Sequence, residues 1–535
     1  MMSLSQQWTM TLATLVADFA DMDNYPEVAI KGICLDSRQV QSGDLFIAIK
    51  GADADGTAFI PQAVERGAVA VLVEKDRHVA KLVEDLIDSS SVSVPVIAIA
   101  DLTGYVSDIA GIFYGQPSRA MHIVGITGTN GKTTCSRLLA ELLEALPDSA
   151  QRGHGAFIGT MGYGMVRDTG YHALHDTAGV EVAYAGITDT GLTTPDAVAM
   201  QRILAELSSK GASNVAVEVS SHSLVQGRVA AVQINTGIFT NLSRDHLDYH
   251  GDLDAYAAAK ARLFAMQSME NAVINIDDAV GRSILSALNP QIKAISYSLE
   301  DNQADIYCST IGLSPEGLRA SVVTPWGCGE ITSSMLGKFN LYNLLAVIGA
   351  TAIQGVDIDD IFSLIPNLRA VPGRMELLAH SEPAVVVDYA HTPDALEKAL
   401  QALRVHCSGK LWVVFGCGGD RDTGKRAEMG SIAQRCADYV VVTSDNPRSE
   451  SPAQIIQHIL QGISGDAMVE SDRRAAIRQA IFTADKNDVV LIAGKGHEDY
   501  QILGAQSLPF SDQAEARLAL REVETRNQVG TGGDL

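Results

Sequence analysis

The sequence lacks several features that assign proteins to large classes. It has no run of eighteen apolar residues, and its N-terminus has neither a basic start nor a long apolar core, so we expect neither membrane insertion nor a secretory signal. Its seven cysteines include no C-x-x-C pair. This argues against a zinc site or a disulfide framework and favours free thiols. These absences predict a cytoplasmic protein.

Two further absences concern ligands. No glycine cluster has the G-x-G-x-x-G pattern, so we expect no nicotinamide cofactor. Basic residues are scarce, with 40 Lys and Arg against 64 Asp and Glu, a net charge of −24. This balance argues against nucleic acid or an anionic membrane as a partner, and a nucleotide would have to be held by local cations. The 535 residues are enough for about three domains.

Residues 122–134, HIVGITGTNGKTT, predict a strand, a glycine turn and a helix, which together can cradle phosphate. Lys132 would supply a mobile charge, and Thr133 would offer a hydroxyl to Mg²⁺. The spacing departs from the general P-loop pattern, because Ile126 stands where that pattern has its first glycine. The predicted ATP-binding loop consists of Gly128, Thr129, Asn130, Gly131, Lys132, Thr133 and Thr134.

Two other predicted strands of the middle third also end in polar residues, at 218–222 and at 241–250. Ligands of open α/β sheets lie at the carboxyl ends of strands, so we expect these ends to converge on the loop. Glu218 would then bind Mg²⁺ beside Thr133. His246 is either a magnesium ligand or a structural histidine. Lys260 lies in a predicted helix, where a lysine is ordinarily a solvated surface residue.

The rest of the chain predicts an α/β protein of three domains: a small α/β domain over 1–117, a central P-loop domain with a mostly parallel sheet over 118–370, and a doubly wound, Rossmann-like domain over 371–535. Four strands of the last domain end in polar clusters that we expect at one edge of the sheet. A helix is predicted from residue 337, with Asn340 as its N-cap.

Seven motifs taken together resemble the Mur ligases of peptidoglycan synthesis: TGTNGKTT, EVSSH, NLSRDHLDYHG, PGRME, VVDYAHTPDALE, SDNPR and GKGHEDYQ. The resemblance covers nearly the whole chain. It implies a monomeric enzyme that phosphorylates a carboxylate with ATP and Mg²⁺ and then joins it to an amine. The motifs are most similar to those of members that add meso-diaminopimelate to UDP-N-acetylmuramoyl-L-alanyl-D-glutamate.

The resemblance also implies roles for individual residues. Lys132, Glu218, His246 and Lys260 would be catalytic, with Thr133, Glu218, His246 and an N-carboxylated Lys260 at the metal. Asn343, Arg374 and Asp388 would contact ATP. The UDP-muramoyl dipeptide would be held by Leu35, Ser37, Thr193, Thr194, Ser220, Gln226 and Arg228. Diaminopimelate would be held by Arg421, Asp445, Asn446, Pro447, Arg448, Gly494 and Glu498. Two positions depart from the family pattern, namely Leu192 and the segment Ala52-Asp53-Ala54.

The form of the Asp445–Arg448 motif favours diaminopimelate over lysine. An arginine fork binds the extra carboxylate of diaminopimelate, whereas lysine would leave the guanidinium unpaired. The alternatives are a lysine-adding relative and a ligase like folylpolyglutamate synthetase. Outside the ligases, a P-loop kinase would not need an amino-acid pocket, and a silent nucleotide-binding module would be expected to lose Lys132, Glu218 or Lys260.

Overall fold

The computed structural model of the protein describes residues 8–20, 27–51, 54–76, 81, 93–147, 153–169, 186–314, 316–379 and 383–531. These residues form two compact units, which divide in sequence between Ile295 and Ser296. Both units are α/β, as predicted. Ala52 and Asp53, which depart from the family pattern, lie outside the described residues. No helix in the described ranges is long and apolar enough to cross a membrane.

The first unit opens with a small sheet in which β3, β4, β5 and β6 run parallel in that order, beside an antiparallel pair β1–β2. Its strands are β1 (Met10–Thr11), β2 (Ala29–Ile30), β3 (Gly32–Cys34), β4 (Asp44–Ala48), β5 (Ala70–Glu74) and β6 (Val96–Ile99). Its helices are α1 (Leu12–Val16), α2 (Ile60–Glu65) and α3 (Leu102–Phe113), with 3₁₀ turns at Gly56–Phe59 and Pro117–Ala120. Leu45 and Ile47 pack in one core and Phe46 and Ala48 in another, because alternate residues of a strand point to opposite faces.

The second sheet of this unit includes six strands in the order β12-β11-β7-β10-β8-β9, and its paired strands run parallel except at β8–β9. Its strands are β7 (His122–Thr127), β8 (His154–Gly159), β9 (Gly162–Met165), β10 (Ala212–Glu218), β11 (Ile234–Phe239) and β12 (Asn271–Asn275). Its helices are α4 (Lys132–Ala145), α5 (Ala197–Ser209), α6 (Ser221–Val225), α7 (Leu247–His250), α8 (Leu253–Ala261) and α9 (Ala279–Ala287), with 3₁₀ turns at Val166–Asp168 and Arg262–Ala265. Glu218 pairs with Ile126 and Phe239 with Thr127, so the three predicted strand ends meet at one edge.

The second unit begins near the end of β13 (Lys293–Ser298) with an antiparallel meander and two helices. These elements are β14 (Ile306–Ser314), β15 (Gly317–Thr324), β16 (Gly327–Ser333), α10 (Lys338–Ala352) and α11 (Ile358–Leu364), followed by a 3₁₀ turn at Ile365–Asn367. The prediction of Asn340 as an N-cap is wrong. Gly337 is the N-cap of α10, and the Asn340 side chain donates to Leu336 O at 2.8 Å from inside the first turn.

The last sheet has the order β17-β18-β22-β19-β20-β21, with only β17 antiparallel to its neighbour. Its strands are β17 (Glu376–Ala379), β18 (Ala384–Asp388), β19 (Leu411–Phe415), β20 (Tyr439–Val442), β21 (Met468–Val469) and β22 (Val489–Ala493), and a hairpin of β23 (Tyr500–Leu503) and β24 (Gln506–Pro509) follows. Its helices are α12 (Pro393–Arg404), α13 (Lys425–Cys436), α14 (Pro452–Leu460), α15 (Arg473–Thr483) and α16 (Asp512–Thr531). Asp388, Ala493, Phe415 and Val442 pair in register. The four predicted strand ends therefore share one edge.

Candidate active site

The loop between β7 and α4 has the geometry of a phosphate-binding loop. Gly128 has φ 148° and Gly131 has φ 88°, backbone angles that favour glycine. A Cβ on Gly128 would also lie 1.9 Å from Thr240 Oγ1, so no larger residue fits against β11. Helix α4 begins at Lys132 with a glycine N-cap that supplies no side-chain acceptor. The N–H groups of its first turn therefore suit an anion.

The Lys132 ammonium is folded back onto this loop. Its Nζ donates to the carbonyl oxygens of Gly128 at 3.0 Å and of Thr129 at 2.9 Å. The loop is also tied to the end of β11, since Asn130 N donates to Asn241 Oδ1 at 3.0 Å. The Lys132 ammonium thus lies beside the backbone N–H groups of the loop. A cation and N–H donors in this arrangement can stabilise charge on a transferring phosphoryl group.

Glu218 and Thr133 meet at the end of β10. Thr133 Oγ1 donates to Glu218 Oε2 at 3.0 Å, and Thr160 N donates to Glu218 Oε1 at 2.9 Å. A Cβ on Gly159 would lie 2.0 Å from Glu218 Oε1, so the glycine leaves the space that the carboxylate occupies. A hydroxyl and a carboxylate at this distance are hard oxygen donors of the kind that Mg²⁺ binds.

Lys260 lies on α8 and is 1% exposed, which excludes the solvated surface lysine that helix composition suggested. Its Nζ donates to Gly128 O at 2.7 Å and lies 4.4 Å from the ring centroid of Tyr256. Burial, aided by the charge of Lys132, lowers the pKa of Lys260 to about 6. At neutral pH most of this amine is therefore uncharged.

His246 has left-handed backbone (φ 53°) just before α7, and its ring lies 5.0 Å from the ring of His222. His250 also packs against His222 and shares a hydrogen bond with Ser221 Oγ at 2.9 Å. Burial and the neighbouring rings lower the pKa of His222 and of His250. The described residues hold no cluster of three or more His, Cys, Asp and Glu arranged for a metal. His246 as a metal ligand stays a prediction.

Five residues predicted to bind the muramoyl dipeptide form one network around Glu218. Thr194 Oγ1 donates to Glu218 O at 2.8 Å and receives Ser220 N at 3.0 Å. Arg228 donates to Thr194 O at 2.8 Å and, through Nη2, to Gln226 Oε1 at 2.6 Å. The fifth member is Thr193, whose Oγ1 receives Thr160 Oγ1 at 3.1 Å.

The residues predicted at the UDP end lie in the small sheet. Ser37 is buried, and its hydroxyl donates to Gln62 Oε1 at 2.7 Å. Leu35 is partly buried against the core of that sheet. Leu192, which departs from the family pattern, is 46% exposed and lies just before Thr193.

The predicted ATP contacts of the second unit lie on α10 and at the start of the last sheet. The Arg374 guanidinium lies 4.6 Å from the ring centroid of Tyr389, and its buried Nε has no hydrogen-bond partner among the described residues. Asp388 receives Met375 N at 2.7 Å, and burial raises the pKa of its carboxyl although the Arg374 charge opposes the rise. Asn343 is buried on α10 and donates to Asn340 Oδ1 at 3.1 Å.

The residues predicted to bind diaminopimelate are brought together at the ends of β19, β20 and β22. Asn446 Nδ2 donates to Glu498 Oε2 at 2.9 Å, and Arg448 Nη1 donates to Gly419 O at 2.8 Å. A Cβ on Gly418 would lie 2.9 Å from Arg448 Nη1 and 3.8 Å from Arg421 Cγ, so the two arginines flank this glycine. A Cβ on Gly494 would lie 2.7 Å from Asp445 Oδ2. Pro447 stands between Asn446 and Arg448.

Sequence reasoning missed two charged residues of this region. Lys495 is fully buried and donates to Glu498 Oε2 at 2.9 Å and to Asn446 Oδ1 at 3.3 Å. Arg426 is also fully buried and pairs with Glu450. The sequence gives no sign that either residue is buried, since Lys495 stands between two glycines and Arg426 lies in the first turn of a helix. For Lys495 the available signal was its position just after the end of β22, whereas Arg426 lies in the helix that follows the β19 loop and had no such signal.

The fold and the loop define an α/β protein of the phosphate-loop class with a second, doubly wound sheet. Models of the Mur ligase family match three segments: the family's catalytic domain over residues 29–114, the middle domain over 126–351 and the glutamate ligase domain over 373–496. This chain belongs to the Mur ligase family, and the three-domain architecture is confirmed. The domain boundaries at 117 and 370 stay predictions.

Several relatives resemble the chain over most of its length. The UDP-N-acetylmuramoyl-L-alanyl-D-glutamate–2,6-diaminopimelate ligase of Ectopseudomonas mendocina is 48% identical over 92% of this chain and 95% of the relative. The protein of the same name from Pseudomonas aeruginosa is 46% identical over 93% and 96%. A solved structure with that name has a TM-score of 0.68 at 36% identity and covers 96% of this chain and 99% of the other. A MurF ligase from Thermotoga maritima in complex with ADP shares the fold, with a TM-score of 0.56 at 19% identity over 92% and 98%.

Proposed function

We propose that this chain is an ATP-dependent ligase that adds meso-diaminopimelate to UDP-N-acetylmuramoyl-L-alanyl-D-glutamate in peptidoglycan precursor synthesis. One observation carries the proposal: identity of 42–48% over more than nine-tenths of the chain to ligases with this printed activity. The grouping of Lys132, Lys260, Thr133 and Glu218 around one glycine loop supports it.

The chemistry takes place in two steps. An oxygen of the D-glutamate side-chain carboxylate attacks the γ-phosphorus of ATP, the bond to the β-phosphate oxygen breaks, and ADP leaves. The amine of diaminopimelate then attacks the acyl phosphate, loses a proton and expels phosphate, leaving an amide. Lys132 and the loop N–H groups stabilise charge on the transferring oxygens in the first step.

Mg²⁺ fits the donors of this site. Thr133 and Glu218 would hold one ion, and His246 with a carboxylated Lys260 would hold a second. The ions would neutralise phosphate charge when bound. Chelation of the metal should abolish phosphate release, and added Mg²⁺ should restore it. Turnover that persists in excess chelator would contradict this assignment.

We also propose that Lys260 is carboxylated, and its environment supports this. The neutral amine attacks CO₂, one N–C bond forms, one proton leaves, and the product carries an anionic carbamate. A pKa of about 6 keeps the attacking form abundant at neutral pH. A carbamate also replaces a cation that would repel Mg²⁺ with an oxygen ligand. Intact-mass measurement with and without bicarbonate tests for the added CO₂.

The UDP end of the substrate would lie on the small sheet at Leu35 and Ser37, and the dipeptide on the network of Thr193, Thr194, Ser220, Gln226 and Arg228. Asn343, Arg374 and Asp388 would contact ATP. We propose that the enzyme acts as a monomer in the cytoplasm, where ATP is supplied.

The deciding assay supplies ATP, Mg²⁺ and the UDP-muramoyl dipeptide with either meso-diaminopimelate or L-lysine, and follows phosphate release. We expect diaminopimelate to be preferred by a kcat/KM ratio of about 10³ or more, because lysine lacks the second carboxylate that would pair with the guanidinium groups of Arg421 and Arg448. Equal turnover of lysine would exclude this specificity and favour a lysine-adding ligase.

A further inference from the structure

Two loops carry the arginines that would read the carboxylates of diaminopimelate. The first arginine loop, residues 416–424, follows β19 and holds Arg421. The second arginine loop, residues 443–451, follows β20 and holds Arg448. We propose that Arg426 and Glu450 are positioning residues that fix the spacing of these two loops and thereby decide between diaminopimelate and lysine. This inference rests on the proposed function.

The Arg426 side chain forms hydrogen bonds to both arginine loops. It lies in the first turn of α13, is fully buried, and donates through Nη1 to Glu450 Oε2 at 2.9 Å and through Nη2 to Glu450 Oε1 at 2.8 Å. The same Nη2 donates to Gly418 O of the first arginine loop at 3.2 Å. Its Nη1 also lies 3.0 Å from His458 Nδ1 on α14. A two-pronged pair of this kind fixes orientation as well as distance.

Glu450, in the second arginine loop, also bonds directly to the first arginine loop. Its Oε1 receives the backbone N–H of Asp420 at 2.6 Å, one residue before Arg421. The Asp420 carboxylate in turn receives Ser449 Oγ at 2.6 Å and Ser449 N at 3.2 Å, one residue after Arg448. Asp420 precedes Arg421 and Ser449 follows Arg448, so each of these arginines is next to a residue that is hydrogen-bonded to the opposite loop.

These contacts help to hold the backbone of both loops, and the Arg448 backbone is also held by the β23 hairpin, since Arg448 N donates to Ile502 O at 3.2 Å. Asp420 has φ 53° and Arg448 has φ 51°, left-handed angles that cost energy for residues other than glycine and persist when surrounding contacts hold them. Gly419 N also donates to Asn446 O at 2.9 Å, and a Cβ on Gly419 would lie 1.9 Å from Pro447 O. At Gly419 the two loops are therefore too close together for a residue with a side chain.

The charges around Gly418 connect the Arg426–Glu450 pair with recognition of the amino acid. Arg421, Arg426 and Arg448 all lie close to Gly418. Glu450 neutralises Arg426, and the short bonds from Arg426 and from Asp420 N hold the pKa of Glu450 at about 2, so the pair stays ionised at any working pH. Within the described part of the chain neither Arg421 nor Arg448 forms an ion pair with a carboxylate, although the Arg448 charge helps to lower the pKa of Asp420. Two guanidinium groups are thus left to a ligand that brings its own carboxylates.

The test compares Glu450→Gln and Arg426→Lys with the matched pair Glu522→Gln and Arg478→Lys. Arg478 and Glu522 form a two-pronged pair in the same domain, at 2.6 Å for each bond, between α15 and α16. Each variant is assayed for kcat and KM with diaminopimelate, with lysine and with ATP. Thermal melts report folding.

We expect Glu450→Gln and Arg426→Lys to lower the diaminopimelate-to-lysine ratio of kcat/KM by about tenfold or more, chiefly through the KM for diaminopimelate. The KM for ATP should stay within about twofold, and the matched variants should keep the wild-type ratio. Ser449→Ala, which removes only the hydroxyl bond to Asp420, should move the ratio in the same direction by less.

An unchanged ratio in folded Glu450→Gln, or equal losses for both amino acids and ATP, would overturn the inference. If Glu450→Gln and Arg426→Lys fail to fold, Ser449→Ala decides the question, and a wild-type ratio in that variant would overturn the inference in the same way. Failure of the proposed function looks different, because the wild-type enzyme itself would then use lysine as well as diaminopimelate.

Discussion

Among the described residues two lysines, Lys260 and Lys495, are almost completely buried, and their ammonium groups have different partners. Lys260, in the first unit, has no carboxylate partner among the described residues, donates to a backbone carbonyl, and has its pKa lowered to about 6. Lys495, in the second unit, donates to Glu498 at 2.9 Å and to Asn446 at 3.3 Å. One lysine is therefore a largely uncharged amine, and the other is held in an ion pair.

Under the proposed function, this difference would suit the different tasks of the two sites. A phosphate-transfer site that uses a carbamate ligand would need this lysine as a neutral amine, because the ammonium form would repel Mg²⁺ and cannot attack CO₂. A recognition site gains from rigid pairs that hold its remaining arginines at a set distance, because specificity depends on geometry. The burial of a lysine alone therefore does not indicate its role. In this comparison the hydrogen-bond partner of the amine separates the proposed catalytic lysine from the lysine of the proposed amino-acid site.

The largest effect is expected for Lys260→Met. Turnover should fall by about 10³-fold or more, because the metal ligand that the carbamate would supply is lost. Exposed Lys210→Met serves as the control and should keep wild-type kcat. A variant that retains a tenth of the wild-type kcat would remove Lys260 from the catalytic group.

The same substitution should stabilise the fold. A lysine whose folded pKa is depressed costs stability as pH falls below its unfolded value of 10.5, and the cost stops growing below about 6. Near pH 8 the cost is on the order of 3 kcal/mol. In bicarbonate-free buffer, Lys260→Met should therefore melt higher than the wild type at pH 8, and by less at pH 10. A lower melting temperature at pH 8 would contradict the interpretation of Lys260 as a buried amine that folding forces to lose its proton.

Arg448→Ala should have the next largest effect, confined to recognition. The KM for diaminopimelate should rise by about 10²-fold, because a carboxylate of the ligand loses its guanidinium partner. The KM for ATP should stay within about twofold. Initial-rate kinetics with each substrate varied in turn measure this split, and equal effects on both substrates would count against the assigned role.

Lys495→Met should have the smallest effect on activity and the opposite effect on stability from Lys260→Met. Removing one partner of the pair leaves Glu498 poorly compensated, so stability should drop by about 2 kcal/mol. The KM for diaminopimelate should rise by about tenfold as Glu498 and Asn446 lose their position. Exposed Lys398→Met, which breaks only a surface pair with Asp394, should stay near the wild type in a denaturant titration. If Lys260→Met and Lys495→Met changed stability equally, the contrast between the two buried lysines would be wrong.

Sequence reasoning predicted the parts of the site that follow from topology. The carboxyl ends of parallel strands fall at one edge, so the convergence of Glu218 with the phosphate loop and the register of four strand ends in the last domain were predictable. The N-cap of α10 was not, because Asn340 bonds to Leu336 O from within the first turn. The burial of Lys260 was hidden by its alanine-rich helix. Arg426 was missed because its partner, Glu450, lies 24 residues away in the chain and meets it only on folding. Lys495 was missed because nothing in its local sequence indicates that it is buried.

The sequence by itself determined the fold class, the three-domain order, the phosphate loop and the family, since hydrophobic runs and glycine turns are local and motif order is read directly. The tertiary structure alone decided which charges are neutralised. Whether a lysine or arginine keeps its charge free depends on burial and on carboxylates far away in the chain, as at Arg426 and Glu450, 24 residues apart. Those distances are set by packing, which no local pattern encodes.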